Sequence, residues 1–585
     1  MMPDPLLDRR DLEFLLYDWL EAERLYARPE FAEHSRESVA AVLDLAERIA
    51  AEWFLPHYKA SDEHEPSLDA TGVHVLPEVR RALAQYAEVG LFAAGFAPIY
   101  GGMGLPYLIQ SAAFAGFAAA NAATAAFAML TIANARLIVN FGSPRQIERF
   151  ARPQIAGRWF GTMCLSEAQA GSSLADIRTR AEPVGEDALG RRYRIVGNKM
   201  WISAGDHDAA ENIVHLVLGK VPGPGGTPVE GTKGISLFVV PKILPDGTAN
   251  DISVAGLNHK MGYRGTPNCV LNFGEHGGAT GWLIGEAGQG LAQMFQMMNE
   301  ARIGVGLGAA ALAYRGYRHA VNYARERHQG RSPGARGGPP LPLIEHADVK
   351  RMLLEQKAIA EGALALCLYC ARLVDESGNV EAASLLALLT PVAKSWPSEF
   401  GLRANELAIQ VHGGYGYTRD FDVEQLYRDN RLNPIHEGTT GIQAIDLLGR
   451  KILRDRGSGL GIAMARVART AERAALSAEL APYAAALTAV WQQVTATVAL
   501  LERGTAESAF DNATVFLRAF GHAVVAWLWL DQGRLLVERR ADPFFAGKLR
   551  ACRYFFECEL PQARLWLEFV GSRNDVSAGA SPEVF

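Results

Sequence analysis

Apolar residues recur at helical spacing over residues 12–20 and 39–54, and again over 78–90. Pro66 and a Ser/Asp/Gly cluster at 67–72 punctuate the gap before the third stretch. A turn-rich loop with Pro98, Gly101, Gly102 and Gly104 follows at 97–106. The run 112–138 is Ala-rich, carries Asn121, Asn134 and Arg136, and predicts a helix buried in a bundle rather than a membrane span. Between 161 and 280 the period changes. The segments 193–196, 213–218, 235–240 and 269–273 are short and rich in β-branched and aromatic residues, with Gly and Pro between them. They predict a barrel or sandwich of antiparallel strands. Helical spacing returns over 290–327, 346–373, 382–410, 422–430 and 441–454, the pattern of a four-helix-type bundle, with Met294, Met297 and Met298 as core filler. Four more helices are expected at 463–480, 483–502, 505–537 and 549–569. The expected fold is mostly α with a central β-domain. Its divisions are an N-terminal helical domain (1–160), a middle β-domain (161–280), a C-terminal helical bundle (281–455) and a helical extension (456–585).

Composition narrows the function classes. At 585 residues and a net charge of −6, the chain suits a soluble multidomain protein and not a general nucleic-acid binder. Asp4, Asp8 and Asp11 come early, no basic-then-apolar leader opens the chain, and the six cysteines are scattered, which points to the cytoplasm. Cys367 and Cys370 lie on a helical stretch with no second pair nearby, so packing is expected there and no metal site. The apolar run 523–530, with Trp527 and Trp529, lacks a basic amphipathic face, so no stable membrane insertion is expected. No glycine fingerprint leads a strand into a helix, and the glycine-rich loops 222–226 and 333–340 lack the Lys-Ser/Thr ending of a phosphate loop.

The most informative stretch is 426–443, Leu-Tyr-Arg-Asp-Asn-Arg-Leu-Asn-Pro-Ile-His-Glu-Gly-Thr-Thr-Gly-Ile-Gln. Asn433 precedes a proline and is pushed out of the helical region, Gly438 permits a tight turn, and Thr439 can cap the following helix. Glu437 therefore sits on a loop at a helix N-terminus. An acid there also suits the helix dipole without any chemistry. Together with 410–417 (Gln-Val-His-Gly-Gly-Tyr-Gly-Tyr), this stretch resembles the C-terminal signature region of the acyl-CoA dehydrogenases.

Two further motifs occur in that family's order. Residues 163–172 (Met-Cys-Leu-Ser-Glu-Ala-Gln-Ala-Gly-Ser), followed by Trp201-Ile-Ser203, offer hydroxyls and backbone N–H groups suited to a polar heterocycle or a phosphate. Residues 323–330 end a helix with Arg327, a fork suited to a diphosphate, though a solvated basic helix end reads the same. The family's Ser-Asp reads Ser172-Ser173 here, and its R-x-x-F-G reads Arg327-His-Gln-Gly330.

The resemblance implies FAD as cofactor, held by Met163, Leu165, Ser166, Gly171, Ser172, Trp201, Ser203, Arg327, Gln410, Gly413, Gly414, Thr439 and Gln443. It implies Glu437 as catalytic base, and Ser172, Arg302 and Gly438 as substrate contacts, with no metal. The implied reaction is α,β-dehydrogenation of an acyl-CoA thioester to the trans-2-enoyl-CoA, with electrons passed to an electron-transferring flavoprotein. A homodimer or homotetramer goes with it. The alternatives within the resemblance are a flavin-binding, nucleic-acid-associated relative and an oxygen-using acyl-CoA oxidase.

Overall fold

The computed structural model describes residues 6–585, apart from 224, 225, 228, 230, 335, 336, 456, 457 and 505 and the side chains of 296–298, 506 and 507. The expected packing of Met297 and Met298, the place of Asp4, and parts of both glycine-rich loops lie outside the described residues. The chain forms two compact units, one of residues 1–6 with 26–301 and one of 7–25 with 302–585.

In the first unit, Ser35 and Ser38 form a reciprocal cap that starts the helix Arg36–Ile49. The Ala-rich run becomes the helix Tyr107–Phe141, bent at Asn121 (φ −159°, ψ 92°). The polar residues that interrupt its pattern are its anchors. Asn121 accepts from the Thr124 N–H at 3.1 Å, and Asn134 Nδ2 donates to the carbonyls of Thr162 (2.9 Å) and Val214 (2.8 Å). Gly161 lies flush against that helix, where a Cβ would sit 2.5 Å from the Asn134 Cβ. The cluster at 67–72 is a small hairpin, β1 (Ser67–Asp69) with β2 (Gly72–His74).

Among the described residues, eight strands make the central sheet: β3 (Trp159–Cys164), β4 (Arg180–Asp187), β5 (Gly190–Ser203), β6 (Asn212–Lys220), β7 (Ile235–Pro241), β8 (Ile252–Leu257), β9 (Asn268–Phe273) and β10 (Ala279–Leu283). The order β10-β7-β6-β4-β5 closes on itself because β10 also pairs with β5, which makes a barrel. Most pairings are antiparallel as expected, but β3 runs parallel to β6, and β4 meets β6 in parallel as well. Residues 163 and 164 end strand β3.

In the second unit, residues 302–326 of the helix Gly290–Glu326 pack in a bundle with Ala347–Asp375 and Val380–His412. The extension contributes Ser458–Ala474, Ala481–Glu502, Ala513–Glu538, Pro543–Tyr554 and Leu560–Gly571. Its Trp529 indole donates to the Ala358 carbonyl at 3.2 Å, and the Trp396 indole of the bundle donates to His522 at 3.0 Å. The helical stretch around Trp19 belongs to this unit too, with the Trp19 indole donating to Asp531 at 2.9 Å. Tyr107–Phe141, Ala481–Glu502 and Ala513–Glu538 are long and apolar enough to cross a membrane by length and composition. In Ala513–Glu538 the run with Trp527 and Trp529 is buried within its unit, where aromatic area stabilises the core.

Candidate active site

The loop carrying Glu437 is tied down by a relay of buried amides. Asn405 Nδ2 donates to the Leu312 carbonyl (2.9 Å), Asn430 Nδ2 to Asn405 Oδ1 (2.7 Å), and Asn433 Nδ2 to Asn430 Oδ1 (2.9 Å). His436 Nε2 meets Asn433 Oδ1 at 3.1 Å, and burial, then the Lys394 charge, pushes the His436 pKa down to about 3. His436 is therefore a neutral ring that donates to the relay. Glu437 itself has φ +54° and Gly438 φ +89°. A left-handed backbone is unusual for a residue with a Cβ and concentrates at functional sites. Thr439 caps the next helix, its hydroxyl accepting from the Ile442 N–H at 3.4 Å. Gln443 Nε2 reaches back to the Glu437 carbonyl at 3.0 Å. The Glu437 N–H has no hydrogen-bond acceptor among the described residues.

Two cations act on this carboxyl. Burial raises the Glu437 pKa above the ordinary carboxylate value, against the opposing pull of Arg302 and Lys394. Arg302 is 3% exposed and donates to Asp446 at 2.8 Å, so it is held within the protein. Lys394 is wholly buried on the helix Val380–His412, and its Nζ has no hydrogen-bond partner among the described residues. Burial pulls its pKa down to about 7. Pro397 withholds the helix donor for the Ala393 carbonyl. Gly306 packs against that carbonyl so closely that a Cβ would lie 1.8 Å away.

In the first unit, Met163 is the penultimate residue of β3, and Leu165 and Ser166 follow the strand on a tight loop closed by paired Glu167 and Ala170 backbone bonds of 3.0 Å. The Met200 N–H donates to the Ser166 carbonyl at 3.0 Å. Trp201 lies on β5 at a register shift between Lys199 and Ile202, with φ +66° and 60% exposure. The bulge turns an apolar indole outward, an arrangement that suits a planar ligand. Ser203 pairs with Asn268 at the end of β5. Gly171 and Ser172 are exposed, and a Cβ at Gly171 would touch nothing within 4 Å.

A third group surrounds an open cavity of about 560 Å³ in the second unit. Arg327, Gly413 and Gly414 line it with Tyr323, His412 and Tyr415. The Arg327 guanidinium lies 5.8 Å from the Tyr415 ring centroid, and the Tyr323 and His412 rings stack at 4.3 Å. Gly413 adopts φ +61°, ψ −136°, a conformation reserved for glycine, and a Cβ at Gly413 or Gly414 would meet nothing within 4 Å. A cation, aromatic faces and bare backbone fit a dinucleotide diphosphate and its base. Gln410 is exposed and does not line this cavity. The sequence reading passed over Lys394, Lys199 and the stacked pair Tyr323–His412. A lone lysine inside the apolar run 385–396 was the available signal for the first of these.

The N-terminal, middle and C-terminal domain profiles of acyl-CoA dehydrogenases match residues 37–158, 162–275 and 288–453. The chain belongs to the acyl-CoA dehydrogenase family. A profile described as acetyl-CoA dehydrogenase C-terminal like matches 463–579, the extension of this acyl-CoA dehydrogenase. The 3-methylmercaptopropionyl-CoA dehydrogenase of Ruegeria pomeroyi is 37% identical to it, over 77% of this chain and 76% of its own. The broad-specificity linear acyl-CoA dehydrogenase FadE5 of Mycobacterium tuberculosis is 32% identical over 94% of this chain and 95% of its own. The fold of the dehydrogenase is that of an acyl-CoA dehydrogenase complexed with FAD from Bacillus anthracis, with a TM-score of 0.76 at 19% identity over 94% of this chain and 90% of that one.

Proposed function

We propose that this FAD-dependent acyl-CoA dehydrogenase uses Glu437 to remove the α-proton of an acyl-CoA thioester. One observation carries the reading. A partly buried carboxyl, with its pKa raised, shares a residue with an unpartnered backbone N–H, on a loop held left-handed at φ +54°. The α-proton is weakly acidic, so a base with a raised pKa is better matched to it, and the thioester oxygen needs a donor as enolate charge grows. The Glu437 N–H is offered as that donor. The α C–H bond breaks, the proton goes to a Glu437 carboxylate oxygen, and the α,β double bond forms as hydride leaves the β-carbon.

Bound FAD supplies the hydride acceptor. Its ring would be held by Met163, Leu165, Ser166, Trp201 and Ser203, and its diphosphate half by Arg327, Gly413 and Gly414. Thr439 and Gln443 are proposed to support the loop more than to bind FAD, because both are engaged in holding it. Arg302 is proposed to act through the charge around Glu437 instead of on substrate, because Asp446 occupies it. Electrons would leave to an electron-transferring flavoprotein, from a cytoplasmic dimer or tetramer. The deciding experiment is Glu437→Gln, which should keep FAD bound and lose at least about a hundredfold in turnover. Unchanged turnover would remove Glu437 from the role.

A further inference from the structure

Lys199 and Glu167 form the most deeply buried ion pair of the first unit's ligand loop, and the proton transfer proposed above does not use them. Lys199 Nζ lies 3.0 Å from Glu167 Oε1, with the two side chains 0% and 4% exposed. The same Nζ donates to the Leu165 carbonyl at 3.0 Å. Glu167 is saturated with donors: the Thr179 hydroxyl (2.6 Å) and N–H (3.0 Å), the Arg178 N–H (2.7 Å) and the Gln169 amide (2.8 Å). These bonds, with the Lys199 charge, bring its pKa down to about 2 although burial works the other way. An isolated buried carboxylate or ammonium would be very costly, so the pair is held only by mutual compensation.

The pair grips a particular peptide. The described residues have no cis bonds, and a trans peptide points its C=O and N–H to opposite sides. Bonding the Leu165 carbonyl to Lys199 therefore turns the Ser166 N–H away from the Lys199 side chain. That N–H has no acceptor among the described residues. The neighbouring residue of the same strand, Met200, fixes the next carbonyl, that of Ser166, and Trp201 follows at the bulge. One short piece of β5 thus sets the direction of a free donor on the loop and presents the indole beside it.

We propose that Lys199 and Glu167 are a buried clamp that aims the Ser166 N–H at the flavin ring, with Lys199 as a positioning residue for the cofactor. The proposal rests on the flavin reading given above. Lys199→Met strands the Glu167 charge and should lower the melting temperature of the FAD-free protein. The double variant Lys199→Met/Glu167→Gln removes both charges at nearly constant volume and should recover only part of the lost melting temperature, because the new amide nitrogen faces one set of the former donors. It should nevertheless bind FAD roughly tenfold or more weakly, because the Leu165 carbonyl has lost a charged donor. The visible circular dichroism of its bound flavin should also change, which a purely structural pair would leave alone. A double variant with the parental FAD Kd and the parental flavin spectrum overturns the clamp alone. A parent protein that binds no FAD overturns the flavin reading and the clamp with it.

Discussion

Gln443 Nε2 donates to the carbonyl of Glu437 across six residues, at 3.0 Å, and this bond closes the loop that carries the proposed base. A left-handed non-glycine residue costs on the order of 1–3 kcal/mol and persists only where its surroundings hold it. Gln443 is fully buried, and its Oε1 has no partner, so its side chain spends one amide N–H on the loop and gains little else. Gln443→Leu removes the restraint together with the unpaired oxygen. The expected result is a near-parental melting temperature with kcat lowered about tenfold, because the carboxylate is no longer held at one position. Dye-linked turnover and a thermal melt on the same preparation check this, and a parental kcat would show that the loop keeps its shape unaided.

Lys394 sets a pH dependence. The proposed base must be ionised, so kcat/KM rises with pH through the Glu437 pKa, which burial places above the usual carboxylate range. A positive Lys394 favours the ionised carboxylate, and Lys394 carries its charge below its own value of about 7. Lys394→Met removes that help. The acid limb of the kcat/KM profile is expected to move to higher pH, with the largest loss of rate on that limb, below the Lys394 value of about 7. An acid limb at the parental position would separate Lys394 from the base.

The same substitution should stabilise the protein. An amine without a partner in the interior costs on the order of 1–3 kcal/mol, and the Lys394 Nζ is such an amine. Its folded pKa of about 7 lies below the ordinary lysine value. Between those two values the unfolded chain binds more protons, so parental stability rises with pH across that window. Below about 7 both states are protonated and the full cost remains. The melting temperature of Lys394→Met should exceed the parent's most at pH 7 and below, and the gap should shrink toward pH 10. Stability gained while rate is lost marks a group kept for function.

The sequence carried the long helices and the Glu437 loop because both write themselves in local spacing. It did not carry β4 or β8. Only Ala181 is buried in β4 and no residue of β8 is, so neither strand has an apolar face to alternate. Ring closure through β10 and the parallel pairing of β3 depend on contacts far apart in the chain. The same limit hid the chemistry around the loops. Lys199 and Glu167 stand 32 residues apart, and neither has a motif of its own to announce the pair. Trp201 entered only as a cofactor contact implied by the resemblance, whereas the left-handed backbone that exposes it was not legible, since tryptophan does not favour that conformation.

The extension is locked to its unit by a second buried charge cluster, and the cluster makes the N-terminal segment conditional on it. Lys548 Nζ donates to Asp11 Oδ1 at 2.5 Å and to Glu361 Oε2 at 2.9 Å, with all three side chains at most 1% exposed. Tyr314 donates to the other Asp11 oxygen at 3.1 Å, and Lys357 pairs with Glu361. Burial works against the Lys548 charge, yet Asp11 and Glu361 hold its pKa above the ordinary lysine value. Lys548→Met leaves one carboxylate, Asp11, with no cation bonded to it and takes one of two from Glu361. Breaking a buried pair from one side typically costs about 3–5 kcal/mol, whereas replacing every member can be nearly neutral. Urea unfolding should therefore show a large loss for Lys548→Met and a partial recovery when Asp11→Asn is added. Limited proteolysis of the single variant should release residues 7–25 first, because Asp11 is their charged link to the helix Pro543–Tyr554. If the single variant unfolds at the parental midpoint, the cluster is replaceable packing, and the other bonds of this segment, such as Trp19 to Asp531, hold it in place.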